Sequence, residues 1–398
     1  MLARQLIAHP EWLDEIFYGD GLNEDRTERA AAELPQRIDN LSTEEALRRI
    51  RQFKQLESFL VSVAEVVAVR RSIGAARRIT LIAEAVLRAM ITVGAREVMK
   101  AEPQTPGRWA VIGLGGIGDR WVHANGDIDV AFVAEDGKEW EGRGLAEWVD
   151  RVGRWVIHEI GAISPEGQLW KIDARLRPEG KMGPLAATKS RYLQYYRSDA
   201  GVWEWQALTK ARPVAGDLEF GREVLDSLYM LFGEIGPPQN LAEEVYTMRR
   251  RMEQNVRLPR TALFDFKAGK GGVVDIEFLV QYLQLEHHRE AAELFPLTTL
   301  QALEVFAERE ELTPEEARFL RLHLLYLRTL QRHNRLLWET TKDQYPAQDE
   351  KQQAIARGLQ DQLELQKLEA PERLSEQLSE VRGLFDRFFE TRSPGISS

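Results

Sequence analysis

The sequence of 398 residues contains no cysteine. This absence excludes disulfide bonds, zinc sites built from thiolates and a thiol nucleophile. The chain also lacks long apolar runs. Its longest apolar passage, residues 59–69, contains Ser62 and Glu65 and is too short to cross a bilayer. The first 17 residues lack the continuous apolar segment of a signal peptide. We therefore expect no membrane association and a cytoplasmic location.

Basic residues are too few to balance the acidic ones. The chain has 53 lysines and arginines against 63 aspartates and glutamates, a formal net charge of −10 at pH 7. Because nucleic acid is bound by cationic surfaces, this balance argues against DNA or RNA as a partner. An acidic protein still binds a nucleotide where Mg²⁺ or a few arginines supply positive charge locally. With 43% hydrophobic residues, the chain is long enough to form two or three compact units.

The most informative short motif is Asp127-Ile128-Asp129, at the start of an apolar strand. Alternate side chains of a strand point to the same face, so the two carboxylates lie about 6–7 Å apart along the chain. Two negative charges this close repel each other unless a cation lies between them. Mg²⁺ binds carboxylate oxygens and keeps positions open for phosphate. The motif therefore indicates phosphoryl or nucleotidyl transfer.

A glycine-rich turn precedes this strand and admits a second interpretation. Its glycines are Gly113, Gly115 and Gly118. Together with Glu135, about twenty residues further on, they satisfy the fingerprint of a dinucleotide-binding domain. However, only residues 119–126 separate the turn from the aspartates, and a crossover helix needs about ten residues or more. The rest of the chain also fails to alternate strands and helices. The dinucleotide interpretation is therefore the weaker one.

A third carboxylate, Asp173, lies in an alternating segment that predicts a strand over residues 169–176. Arg175 and Arg177 share its face. If this strand pairs beside Asp127-Ile128-Asp129, three carboxylates converge on a pair of divalent metal ions, and the arginines supply planar donors for phosphate oxygens. The alternative is that Asp173 forms ion pairs with its arginine neighbours on a solvated face.

Taken in order, these motifs resemble the catalytic half of the glutamine-synthetase adenylyltransferases. The segments that carry the resemblance are 113–118, 127–129, 171–178, 203–208 and 266–278. The resemblance implies an α+β fold that is mostly helical, with a small mixed β-sheet of the DNA-polymerase-β nucleotidyltransferase type followed by an all-α helical bundle.

The resemblance also implies a reaction and a set of site residues. AMP would pass from ATP to a tyrosine hydroxyl of a protein, expected to be glutamine synthetase, or be removed by phosphorolysis. The expected metal ligands and catalytic residues are Asp127, Asp129 and Asp173, which would hold two Mg²⁺ ions. The expected nucleotide-binding residues are Gly113, Gly115, Gly118, Arg175 and Arg177. The resemblance also allows for a second protein partner, a regulator that signals nitrogen status.

Two positions depart from the family pattern. Gly116 stands where the family usually carries a lysine, and Gly126 stands where it usually carries a serine. A phosphate-binding ammonium and a hydroxyl would both be missing. We therefore keep a second hypothesis, in which the chain is a catalytically weakened relative that acts as a protein-interaction or regulatory module. A dinucleotide-binding oxidoreductase is the third and weakest hypothesis.

Helical periodicity dominates outside the central block and suggests four regions. Residues 1–40 form an N-terminal helical segment and residues 41–220 form the nucleotidyltransferase domain. Residues 240–391 form the helical bundle, and residues 392–398 are expected to be a disordered tail. Within the bundle, helices are predicted at 241–256, 274–289, 298–309, 314–341, 349–366 and 371–391.

Overall fold

The structure, a computed structural model, describes residues 2–23, 25–67, 72–99, 107–140, 142–338, 342–366 and 374–393. Of the predicted tail, residues 394–398 lie outside the described part. Arg392 belongs to the last helix and Ser393 follows it.

Helices make up most of the described chain. They are α1 (Leu2–Ala8), α2 (Trp12–Phe17), α3 (Arg26–Ile38), α4 (Thr43–Val66), α5 (Ser72–Met99), α6 (Gly115–Gly118), α7 (Leu145–Gly161), α8 (Lys189–Ser198), α9 (Val202–Leu208), α10 (Leu218–Ile235), α11 (Leu241–Gln254), α12 (Val273–Glu286), α13 (Ala291–Leu294), α14 (Thr299–Glu308), α15 (Pro314–Trp338), α16 (Asp349–Gln366) and α17 (Leu374–Arg392). The strands are β1 (Trp109–Gly113), β2 (Asp127–Ala134), β3 (Glu139–Trp140), β4 (Arg143–Gly144), β5 (Lys171–Asp173), β6 (Ala186–Thr188), β7 (Arg212–Gly216), β8 (Ala262–Asp265) and β9 (Gln344–Pro346).

Five strands form one mixed sheet in the order β5-β2-β1-β7, with β6 pairing the far end of β2. β1 is antiparallel to β2 and to β7, whereas β2 is parallel to β5 and β6. The predicted α+β class, mostly helical with a small mixed sheet, is therefore confirmed. A dinucleotide-binding βαβ unit requires parallel strands on either side of its glycine turn. Because β1 and β2 are antiparallel, the structure contradicts that hypothesis.

Both faces of the sheet are covered by helices, which explains why its strands are almost entirely apolar. Alternate residues of β1 enter different cores: Trp109 and Val111 pack with α3, α4, α5 and α7, while Ala110 and Ile112 pack on the opposite side. This second core runs from the sheet through α8–α17. The helices of the predicted bundle therefore share a hydrophobic core with the sheet. The expectation that this bundle is all-α is wrong, because β8 and β9 form an antiparallel pair within it.

Local sequence signals fix where the major helices begin and end. Ser42 accepts a hydrogen bond from the backbone N–H of Glu45 at the start of α4, and Thr298 forms a capping box with Gln301 at the start of α14. α10 ends at Gly236, whose φ of 65° favours glycine. The six helices predicted beyond residue 240 are all present with bounds close to those expected. No helix in the described residues is both long enough and apolar enough to cross a membrane.

The strand predicted over residues 169–176 is wrong in its extent. Only Lys171–Asp173 pair with β2. Beyond Asp173 the chain turns, and the backbone N–H of Arg177 donates to the carbonyl of Arg175 at 2.9 Å. The alternation of polar and apolar residues continues past the point where backbone pairing stops, so side-chain pattern alone overestimates the strand.

Candidate active site

The register of two parallel strands brings the predicted carboxylates together. Asp127 pairs with Lys171, and Asp129 pairs with Asp173, so the side chains of Asp129 and Asp173 lie on adjacent strands at the same level. Neighbouring strands are about 4.8 Å apart. Between the two aspartates of β2, Ile128 is buried on the opposite face of the sheet. The three aspartates line one cleft with a volume of about 790 Å³.

The carboxylate of Asp129 carries negative charge that the protein does not fully offset. Burial, followed by repulsion from Asp173 and Asp127, raises its pKa from 3.8 to about 6, and Lys267 reduces this effect only in part. A divalent cation would supply the missing positive charge, and carboxylate oxygens are the ligands that Mg²⁺ prefers. The residues of the cleft therefore fit a Mg²⁺ site.

Asp173 differs from Asp129 because an arginine already holds it. The Nε atom of Arg175 lies 2.8 Å from both carboxylate oxygens, and the backbone N–H of Arg175 donates to Oδ1 at 2.9 Å. These hydrogen bonds keep the pKa of Asp173 below its usual value despite partial burial. The ion pair expected as the alternative for this strand thus exists inside the cleft, where Arg175 would share Asp173 with a metal ion.

Arg177 is not brought into the cleft. Its guanidinium donates to three backbone carbonyls, those of Ala174, Gly183 and Pro184, with a distance of 2.9 Å between Nε and the oxygen of Pro184. These bonds brace the turn that follows β5. Its predicted contact with phosphate would require these bonds to break.

The glycine turn lies over Asp129. Gly115 has a φ of 49°, and a Cβ atom there would lie 2.4 Å from Oδ2 of Asp129. A Cβ on Gly113 would meet the side chain of Val214 at 2.7 Å, and one on Gly118 would meet the carbonyl of Lys210 at 2.5 Å. All three predicted glycines are therefore required for close packing around the site, and only Gly115 lines the cleft itself.

The two departures from the family pattern also line the cleft. A Cβ atom on Gly116 would lie 3.1 Å from the carbonyl of Trp121, so a side chain would need a small shift of the backbone. A Cβ on Gly126 would lie 3.6 Å from Nη1 of Arg335, which leaves room for a hydroxyl.

A cation from the loop between β8 and α12 faces these carboxylates. Lys267 lines the cleft and forms no ion pair with another described residue. The backbone amides of its loop are already used: those of Lys267 and Ala268 donate to Oδ1 of Asp265 at 3.0 and 2.8 Å, and that of Gly271 donates to Oδ2 of Asp275 at 2.6 Å. The loop therefore offers a side chain to an anion, while most of its backbone donors are satisfied internally.

A buried ionic network that sequence reasoning missed joins the glycine turn to the bundle. Asp119, directly after the turn, contacts Arg328 of α15 and accepts a hydrogen bond from the backbone N–H of Thr299 at 2.8 Å. Arg328 also lies 2.9 Å from Glu277, and Lys210 lies 3.6 Å from the same carboxylate. Burial alone would raise the pKa of Asp119, but Arg328 and Lys210 hold it below its usual value.

Ion pairs offset some of the charged side chains of the cleft and leave others uncompensated. Asp119 and Glu277 are offset by Arg328 and Lys210, and Asp173 is offset by Arg175. The charges left over in the cleft include the carboxylates of Asp127 and Asp129 and the ammonium of Lys267. The cleft thus combines a cation-binding edge with an ammonium group suited to phosphate.

Elsewhere in the described chain, one group of three side chains has ligand atoms within 4.8 Å of one another: Glu286, His287 and Glu311. The guanidinium of Arg392 lies 3.6 Å from Glu286 and 3.4 Å from Glu311. Since Arg392 contacts both glutamates and His287 lies 2.8 Å from Glu311, these side chains already have one another as partners, and we interpret the group as a surface ion cluster.

A small mixed sheet with paired aspartates on one strand, a third on its parallel neighbour, and a tight glycine turn above them defines a domain of the nucleotidyltransferase class. The family comparison agrees. Residues 1–227 match the family model of the glutamate-ammonia ligase adenylyltransferases, and the chain belongs to that family. Residues 240–389 match the model of the GlnD PII-uridylyltransferases.

Curated relatives carry the name bifunctional glutamine synthetase adenylyltransferase/adenylyl-removing enzyme. One from Xanthomonas campestris pv. campestris is 31% identical over 298 residues, which cover 71% of this chain and 31% of the relative. One from Streptomyces avermitilis is 35% identical over 252 residues, which cover 63% of this chain and 25% of the relative. One from Bradyrhizobium diazoefficiens is 29% identical over 401 residues, which cover 99% of this chain and 40% of the relative. The chain therefore spans a quarter to two-fifths of the length of these relatives.

Proposed function

We propose that this chain transfers AMP from ATP to a tyrosine hydroxyl of a protein, with glutamine synthetase as the expected acceptor. The observation that carries the proposal is the in-register pairing of Asp129 with Asp173 beside Asp127, in a cleft that leaves the charge of Asp129 uncompensated. The names of the relatives support AMP as the group transferred and glutamine synthetase as the acceptor.

Each side chain has a defined task in this proposal. Mg²⁺ bound by Asp127, Asp129 and Asp173 would neutralise the carboxylates and polarise phosphate oxygens. Lys267 contacts the β- and γ-phosphates from the bundle side, and Arg175 does so from the sheet side when it releases Asp173. Because the glycine turn has no side chain over Asp129, a metal ion and the phosphate oxygens that it binds would have room beside this carboxylate.

The reaction is an in-line displacement. The hydroxyl oxygen forms a bond to the α-phosphorus, the bond from that phosphorus to the bridging oxygen breaks, and pyrophosphate leaves. Asp173 would help to activate the hydroxyl, either as a metal ligand, with the proton passing to water, or as the base that takes the proton. Removal of AMP would use the same residues, with inorganic phosphate attacking the adenylylated tyrosine to give ADP. The proposal places the chain in the cytoplasm, where ATP and such an acceptor meet, and a nitrogen-signalling regulator would select the direction.

The second candidate function is a protein-interaction module with weakened catalysis. The observation that favours it is that Gly116 and Gly126 line the cleft without offering a donor side chain. Lys267 opposes it, because it supplies an ammonium from another part of the chain.

Transfer is tested by incubating the protein with Mg²⁺, glutamine synthetase and ATP labelled on the α-phosphate. We expect label on glutamine synthetase that EDTA or Asp127→Asn prevents. Asp226→Asn, on an exposed position of α10, is the matched control and should retain the parental rate. ATP labelled on the γ-phosphate should give no labelled protein. Label from the γ-phosphate would mean phosphoryl transfer, and no label from either ATP would favour the interaction module.

A further inference from the structure

Two of the three carboxylates, those of Asp127 and Asp173, lie between two openings, and Asp129 lines only the first. One is the cleft described above. The other is a shallower groove of about 590 Å³ on the side of α7 and β5, and the two share Asp127, Lys171, Asp173 and Arg175. A molecule in the groove would therefore reach the same carboxylates from a different direction than a molecule in the cleft.

The groove has an apolar floor. Ala174 and Leu185 are buried, while Ile157 and Ile172 are half-buried and form the exposed part of this floor. An aromatic ring resting on such side chains would bury apolar area in the same groove that Asp127 and Asp173 line.

The rim of the groove is cationic although the chain as a whole carries a net charge of −10. Lys171 and Lys181 are exposed there and make no ion pair with another described residue. Arg154, which Asp150 offsets, and His158, 3.1 Å from Glu159, are also exposed there, so the unpaired positive charge of the rim comes from the two lysines. The acids that line the groove are Asp127 and Asp173, and Arg175 already offsets Asp173. The groove therefore complements negative charge.

In-line displacement places the attacking and leaving oxygens on opposite sides of the phosphorus. If the phosphates occupy the cleft beside Lys267, the acceptor hydroxyl must enter from the other opening. We propose that the groove between α7 and the turn after β5 binds an extended, acidic segment of the protein substrate, with acidic residues flanking the acceptor tyrosine. This inference rests on the proposed function and extends it to the chemistry of the acceptor.

Fluorescence anisotropy with two short labelled peptides tests the proposal. Both carry a central tyrosine, flanked by glutamates in one and by lysines in the other. The parent protein should bind the glutamate peptide more tightly, and added salt should weaken this binding. Lys181→Glu should weaken it roughly tenfold, since reversing an exposed charge changes attraction into repulsion. Lys171→Glu should act in the same direction.

Lys138→Glu is the matched control, because it makes the same charge change at an exposed position outside the groove. It should leave peptide affinity unchanged. Equal affinity for the two peptides, no binding of either, or equal weakening by Lys138→Glu would overturn the assignment.

Labelling of glutamine synthetase separates failure of the groove from failure of the proposed function. If Lys181→Glu labels this acceptor at the parental rate, the groove is wrong and the transferase proposal stands. If the glutamate peptide binds as expected but the parent transfers no AMP, the transferase proposal fails and the acidic docking surface stands.

Discussion

Asp129→Asn should stabilise the protein at neutral pH, although it removes a proposed metal ligand. Burial and the neighbouring carboxylates raise the pKa of Asp129 from 3.8 to about 6 in the folded state. A raised pKa means that the folded state disfavours the charged carboxylate relative to the unfolded chain. A shift of roughly two pH units corresponds to about 3 kcal/mol. The neutral amide of asparagine has nearly the same shape and avoids this cost.

The sign of the effect depends on pH. Well below pH 3.8 the carboxyl is protonated in both states, so it costs nothing and the substitution should be neutral. The cost grows as the pH rises through the interval between 3.8 and about 6 and is fully present above it. The gain in unfolding free energy from Asp129→Asn should therefore be largest at pH 7–8 and should shrink toward zero on acidification.

Urea denaturation followed by tryptophan fluorescence measures this gain, with the protein held in EDTA. Asp226→Asn, at an exposed position of α10, controls for the loss of one negative charge and should change stability little at any pH. Adding Mg²⁺ should stabilise the parent but not Asp129→Asn. A variant that is less stable than the parent at pH 7.5, or a gain that does not depend on pH, would refute the electrostatic reasoning.

Three further substitutions test the roles assigned to Lys267, Arg328 and Arg177. Lys267→Ala should weaken ATP binding roughly tenfold in calorimetry, because it removes an unpaired cation from the cleft. Lys270→Ala should leave ATP affinity unchanged, and equal effects of the two substitutions would show that Lys267 does not bind the phosphates. Arg328→Ala should lower the unfolding free energy in urea by about 3–5 kcal/mol, because the buried carboxylate of Asp119 loses its nearer cation and keeps only Lys210 at 3.8 Å. A loss below 1 kcal/mol would contradict this assignment. Arg177→Ala should speed amide hydrogen exchange in residues 174–184 without changing ATP affinity. A large loss of ATP affinity would show that Arg177 contacts the phosphates.

The sequence allows the catalytic strand to be predicted because its signals are local. Asp127 and Asp129 share a face through the two-residue period of a strand, and the apolar residues after them predict a buried strand. The helices beyond residue 240 could likewise be located, because each repeats apolar residues at helical spacing. The order of the motifs then placed Asp173 beside the pair, and the register of β5 with β2 agrees with that placement.

The missed features depend on contacts between distant parts of the chain. Arg328 lies in a helix whose sequence shows only a leucine stripe, and nothing local indicates that it meets Asp119, 209 positions earlier. β7 contains Pro213 and pairs with β1 across a bulge, so its strand propensity is low. Arg177 follows the strand pattern but lies in a turn, where nearby carbonyls capture its guanidinium. The spacing of apolar residues predicts which face of a helix or strand is buried, but it does not predict which distant residues contact each other.

We propose that Asp127 and Asp129 form a divalent-metal site for a nucleotide. The most direct test is calorimetric titration of ATP into the protein with Mg²⁺ and with EDTA, using the parent and the double variant Asp127→Asn, Asp129→Asn. We predict saturable binding by the parent only when Mg²⁺ is present, and loss of that binding in a double variant that remains folded. ATP binding that needs no metal, or that persists in the double variant, would show that these two aspartates do not hold a metal ion for the nucleotide.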